Sequence, residues 1–144
     1  MIRNMTERDI PQVVKLESDH LGQTLGATFF LNELNDHPHP YYLVYELGKE
    51  IIGYVGYRIH QDVAEMMNFV VKKDYQSQGY GTVLFEESEK HFQEIAIKTI
   101  SLEVRKNNQQ ARAFYEKLGF HISHVKKHYY EHEDGIVYIK EVQK

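Results

Sequence analysis

From Asn68 through Phe69, Val70, Val71, Lys72, Lys73, Asp74, Tyr75, Gln76, Ser77 and Gln78 to Gly79-Tyr80-Gly81, the chain changes character twice. It begins as an apolar run with strand character, becomes polar, and then turns through two glycines. An amphipathic segment from Thr82 to Ile97 follows, with Val83, Leu84, Ser88, His91, Phe92 and Ile95 at near-helical spacing. Strand, glycine turn and helix together are the layout of an anion cradle. The first N–H groups of a helix lack internal partners, and the helix dipole adds partial positive charge there. Glycines allow a phosphate close to the backbone because no Cβ intervenes. The pattern Gln-x-x-Gly-x-Gly is not a P-loop, because no Gly-Lys-Ser/Thr follows. Nor is it a dinucleotide fingerprint, since Leu84 stands where the third glycine would fall. On spacing alone, a tight strand-to-helix turn with glycines for geometry explains it equally well.

The wider order of motifs separates the two. Tyr75-Gln76-Ser77-Gln78-Gly79-Tyr80-Gly81 resembles the Gln/Arg-x-x-Gly-x-Gly/Ala signature of the GCN5-related N-acetyltransferases. Leu102-Glu103-Val104-Arg105, Asn108, Phe114 to Phe120, Tyr129-Tyr130 and Glu133-Asp134 continue the resemblance, in the order of the RimI-type ribosomal-protein-alanine N-acetyltransferases. The resemblance implies an α/β fold with a central mixed sheet splayed open between flanking helices. It also implies that acetyl-CoA is the cosubstrate, its diphosphate held at Gln76, Ser77, Gln78, Gly79, Tyr80, Gly81 and Thr82.

The length of 144 residues and mass of 17.1 kDa suit a single domain spanning residues 1–144 with one sizeable core. A net charge of −4 does not point to a nucleic-acid surface, so no nucleic-acid partner is expected, and it tolerates a cationic substrate such as an amine. The absence of cysteine excludes disulfides, thiol nucleophiles and thiolate metal sites. No apolar run reaches membrane-spanning length, and no signal-peptide pattern opens the chain, so it reads as cytoplasmic.

Taken in order, Ile2 to Met5 reads as a strand, and Thr6 with Asp9 as a helix start. Ile10, Val13, Val14, Leu16 and Glu17 form a mixed stripe that ends at Leu21 to Gly26. Ala27 to Asn35 is a second helix, stopped by His37-Pro38-His39-Pro40. Strands are expected at Tyr41 to Leu47, Glu50 to His60, Val63 to Val71 and Thr99 to Arg105. Asn107-Asn108 opens a helix striped by Ala111, Phe114, Tyr115 and Leu118 and closed by Gly119, and Phe120 to Tyr130 and Gly135 to Val142 form a last strand pair.

Acetyl transfer to an amine needs a base for the amine, polarisation of the carbonyl, and a proton for the leaving thiolate. An α-amine, with a reference pKa of about 7.7–8.0, asks less of a base than a lysine at about 10.4. By alternation Ser101, Glu103 and Arg105 share one face of their strand, where Glu103 is either a solvated or Arg105-paired carboxylate or a functional one. The resemblance implies Glu103 as general base and Tyr115 as acid; Glu65 is a rival base without motif support. It further implies that Phe69, Val70 and Val71 line the pantetheine arm and that Asn108 bonds the cofactor. An N-cap role for Asn108, and a core role for Tyr115, are the structural alternatives. Tyr129 and Tyr130 would shape the groove for the partner, a peptide or protein N-terminus, with a ribosomal protein the expected acceptor. Lys72 and Lys73 read as solvated charges or contacts to an outer phosphate. No metal is expected, because His121, His124, His128 and His132 recur along a strand, where residues four apart lie about 13 Å from one another.

Two departures from the RimI pattern fall on the substrate side: the Leu21–Gly26 loop lacks the usual Pro-Trp pair, and Gly135 replaces an alanine. They leave open a small-amine acetyltransferase of the same fold. A non-catalytic acetyl-CoA-binding module is disfavoured by the presence of both Glu103 and Tyr115.

Overall fold

The computed structural model describes residues 1–36, 40–130 and 133–142. The expected stop at His37, Pro38 and His39 lies outside the described residues, as does His132. Strands β1 (Ile2–Asn4), β2 (Tyr41–Leu47), β3 (Glu50–His60), β4 (Val63–Val71), β5 (Thr99–Arg105), β6 (His121–Tyr130) and β7 (Glu133–Glu141) form one sheet, ordered β1-β2-β3-β4-β5-β7-β6. Helices α1 (Ile10–Leu21) and α2 (Ala27–Asn35) cover one face, and α3 (Tyr80–Glu94) and α4 (Gln109–Lys117) the other.

Local chemistry accounts for the element ends. The Thr6 N–H donates to Asp9 at 2.8 Å, and Asp9 also receives two guanidinium N–H groups of Arg3 at 2.7 and 2.8 Å. That guanidinium holds the Asp9 carboxyl below its ordinary value. Helix α3 starts at Tyr80, two residues before the expected Thr82, because Gly79 takes a left-handed φ of 93° and serves as N-cap. It ends at Glu94 rather than Ile97, where Ala96 turns with φ 61°.

Two apolar layers sandwich the sheet. Phe30, Val13, Leu16, Tyr54 and Val70 pack under α1 and α2; Leu84, Phe85, Phe92, Leu102 and Tyr138 pack under α3 and α4. Each large side chain so buried contributes about 1.5–3 kcal/mol.

The β4–β5 ladder is parallel and short, pairing Val63, Ala64 and Glu65 with Thr99, Ile100 and Ser101. Beyond it β4 stays bonded to β3 as far as Val71, and β5 stays bonded to β7 as far as Arg105. A shift between Gly56 and Tyr57 leaves Met67 as an extra residue in β4, and such a bulge bends its strand away. The sheet therefore opens into a gap between the C-terminal halves of β4 and β5. The last strand, β7, sits between β5 and β6, which leaves the polar β6 at the edge.

Candidate active site

The anion cradle is a backbone device. Among the described residues, the N–H groups of Ser77, Gln78, Gly79, Tyr80, Gly81 and Thr82 donate to no other residue; the first helical bond is Val83 N–H to Gly79 O at 3.0 Å. Side chains brace the loop from within. Gln76 Nε2 donates to Val71 O at 2.8 Å, and Gln78 Nε2 to Asp74 O at 2.9 Å. The loop is tied to α1 through His20, whose Nε2 accepts the Lys73 N–H at 2.8 Å. The two glycines differ in purpose. Gly79 has open space around it and is required by its φ, whereas a Cβ on Gly81 would stand 3.2 Å from Phe114 Cζ and 3.5 Å from Phe69 and Val71. Gly81 is therefore a packing glycine, and the space its missing Cβ leaves belongs to Phe114 rather than to an approaching anion.

Alternation decides which β4 groups face the gap. Lys72 N–H donates to Ile52 O on the β3 side at 2.7 Å, so Val70 also faces β3 while Phe69 and Val71 turn their amides to the gap. Val70 differs from its two neighbours: it is 4% exposed, its side chain lies under α1, and its backbone is committed to β3. The Phe69 ring meets Phe114 edge-on at 5.4 Å and Tyr115 at 6.5 Å, giving the gap an aromatic wall.

Glu103 and Tyr115 flank the gap from opposite faces of β5. Leu102 and Val104 enter the α4-side core, which turns Glu103 to the other face. There Glu103 pairs with Lys126 of β6, not with Arg105, which pairs instead with Glu133 at 3.2 Å. Tyr115 packs among Phe69, Phe114 and Phe120, and among the described residues its hydroxyl has no hydrogen-bond partner. Burial raises that hydroxyl well above the ordinary phenol value, so it stays protonated.

The remaining expected residues divide. Asn108 caps its own helix, its Oδ1 accepting from Ala111 N–H at 3.1 Å. The Tyr80 ring leans onto Tyr45 at 5.0 Å, so only its backbone faces the cradle mouth. Lys72 pairs with Glu50, while Lys73 is exposed. Tyr129 and Tyr130 meet at right angles, 5.1 Å apart, beside Glu103's partner. Among the described residues, no group of three or more His, Cys, Asp or Glu side chains is placed to hold a metal. A cleft of about 550 Å³ between β1, β2 and α3 shares no residue with the gap.

Sequence reasoning passed over two residues. Glu17 is fully buried and accepts from Thr24 Oγ1 at 2.5 Å, Leu25 N–H at 3.0 Å, Asn68 Nδ2 at 2.6 Å and the Tyr54 hydroxyl. It fastens the loop between α1 and α2 to the bent part of β4, and a carboxylate on an apolar helical stripe was its signal. Lys126 carried no signal, because its partner comes from a strand two places away in the sheet.

A splayed mixed sheet, a cradle of free amides at its open end, and a carboxylate and phenol on either side of the gap define a group-transferring α/β enzyme. The sequence profile described as the acetyltransferase (GNAT) family matches residues 6–120, and the chain belongs to that family. A Bacillus subtilis protein, provisionally named a ribosomal protein bS18-alanine N-acetyltransferase, is 32% identical over 138 residues, covering 94% of this chain and 91% of its own. An N-alpha-acetyltransferase of Sulfurisphaera tokodaii is 29% identical, covering 90% and 84%. The crystal structure of the ribosomal-protein-S18-alanine N-acetyltransferase from Escherichia coli superposes with TM-score 0.89 at 24% identity, over 100% of this chain and 94% of that one, which shows the fold.

Proposed function

We propose that this N-acetyltransferase moves the acetyl group of acetyl-CoA to the α-amine of a protein N-terminus, with a ribosomal protein as acceptor. One observation carries the reading: six free backbone N–H groups, residues 77–82, open beside a gap whose two faces bear Glu103 and Tyr115. The residues present fit the cosubstrate. Free amides at a helix N-terminus suit a diphosphate, and the gap-facing amides of Phe69 and Val71 suit the amide-bearing arm and the thioester oxygen. Bound there, acetyl-CoA supplies an activated acyl group with a thiolate leaving group.

The residues then divide the work. The Glu103 carboxylate accepts a proton from the acceptor ammonium, directly or through a water, a contribution of about 10²–10⁴-fold. The neutral amine nitrogen bonds the acyl carbon as the carbon–sulfur bond breaks; Tyr115, kept protonated by burial, donates to the departing sulfur, and the second proton lost by the nitrogen as the amide forms restores the phenol through solvent. Attack is direct, because the chain has no cysteine to carry the acetyl group. Tyr129 and Tyr130 border the face from which the acceptor arrives. The names of the Bacillus and Sulfurisphaera relatives support an N-terminal acceptor.

The test is thioester consumption with short peptides differing at their first two residues, run beside spermine and free lysine. Peptides outpacing both free amines is the expected result. Faster turnover of spermine or lysine would replace the acceptor assignment, and no consumption with any amine would leave only a binding module.

A further inference from the structure

The ion pair between Glu103 and Lys126 is arranged unlike the other pairs around it. Among the described residues Glu103 takes one hydrogen bond, from Lys126 Nζ. Its side chain is 27% exposed and that of Lys126 37%, so solvent and an entering molecule can reach both. Lys126 stands opposite Gly135 in the β6–β7 ladder, whereas Glu103 stands opposite Val137 on the far side of β7. The lysine stem therefore crosses a whole strand to reach the carboxylate. Neighbouring Arg105 differs. Its guanidinium lies 4.2 Å above the Tyr130 ring and bonds Glu133, and Glu133 is fixed again by the Asn107 N–H at 3.2 Å. Nothing comparable fixes Glu103.

Resting on Glu103 as the proposed base, we propose that Lys126 is a resident stand-in for the acceptor ammonium, which an incoming α-ammonium must displace from Glu103 before transfer. An ammonium on a flexible four-carbon stem is the group of this chain that best imitates a charged amine, and it occupies the one hydrogen-bonded position at the carboxylate. Two further groups already act on the cation while it is paired and remain when the carboxylate is taken. Lys126 Nζ lies 4.7 Å from the Tyr129 ring centroid, a face that attracts a cation, and Glu65 is a further carboxylate whose charge acts on it. The pairing with Glu103 also raises the Lys126 pKa, so the stand-in stays charged and is a poor acyl acceptor itself. Lys126 is on this account a positioning residue. It keeps the carboxylate occupied until an acceptor arrives, and it sets how much acceptor is needed.

Kinetics with an alanine-initiated peptide and acetyl-CoA test this, with peptide binding followed by calorimetry. A half-exposed pair is worth little, so Lys126→Met is expected to lower the peptide KM by about fivefold and tighten peptide binding equally. The change falls on KM rather than kcat, and the acetyl-CoA KM stays within about twofold. Lys126→Arg, which keeps the charge, is expected to hold the peptide KM at or above the parent value. In a Glu103→Gln background the Lys126→Met effect on binding disappears, because there is no carboxylate left to contest. A peptide KM that is unchanged or higher in Lys126→Met overturns the stand-in while leaving the base assignment intact, provided Glu103→Gln is inactive. Full activity of Glu103→Gln overturns the base assignment, and the stand-in falls with it.

Discussion

The two ends of the gap are built from different materials. At the cradle, residues 77–82 offer main-chain N–H groups while Gln76, Gln78 and Tyr80 turn their side chains inward or aside. Across β5, β7 and β6 the surface is made by the side chains of Glu103, Arg105, Lys126, Tyr129 and Tyr130, with β7 bonded on both sides. Backbone amides recognise a diphosphate whatever the neighbouring side chains are, and they cost little reorganisation when held by a helix N-terminus. Side chains recognise a particular acceptor and change with it. On the proposed function, one end is generic to the donor and the other specific to the acceptor.

Substitutions at each end should separate accordingly. The largest effect is expected from Glu103→Gln: a kcat loss on the order of 10²–10⁴-fold with acetyl-CoA affinity unchanged, read by steady-state kinetics and calorimetry. An equal loss of cofactor affinity would merge the two ends. Tyr115→Phe comes next, with a kcat loss of about 10²-fold and an intact fold by circular dichroism, since the ring stays among Phe69, Phe114 and Phe120. At the cradle, Gly79→Ala forces a Cβ into a left-handed residue at about 1–2 kcal/mol, so acetyl-CoA binding weakens by about tenfold while peptide KM holds. The smallest effect belongs to Gly135→Ala. Its Cβ would stand 3.3 Å from both Tyr129 and Tyr130 and displace the rings by tenths of an ångström. The peptide KM should move by about two- to fivefold, with acetyl-CoA binding unchanged.

The same contrast explains what could be read from the chain before its structure. The cradle was legible because glycines, a strand run and an amphipathic helix are local signals, and they survive into β4, Gly79 and α3 nearly unshifted. Element order was legible for the same reason. The place of β7 was not: a strand inserted between β5 and β6 is a long-range pairing. Only in retrospect do the buried Ile136, Val137 and Tyr138, beside the exposed β6, show which strand needed two neighbours. The position of Val70 was hidden because strand alternation gives faces but not which neighbour each amide serves. The role of Gly81 was likewise hidden, since its close contact is with Phe114 on a distant helix. At the acceptor end, Glu103 was reached through a motif, while its partner Lys126 depends on a register no local pattern encodes.

The departure at Gly135 now has a physical reading. Two tyrosine rings lie against it, and the alanine of the resembling pattern would lift them. Lys126, opposite Gly135 in its ladder, reaches Glu103 across β7. One residue without a side chain thus shapes the aromatic border beside the proposed base.

The central claim is that the amides of residues 77–82 grip the diphosphate of coenzyme A. Amide NMR shifts followed during titration with desulfo-coenzyme A, which keeps the diphosphate but cannot react, address it directly. Saturable downfield movement of the amide protons across residues 77–82, larger than anywhere else in the chain, is the predicted result. Saturation with those amides unmoved, or no uptake at all, would contradict it.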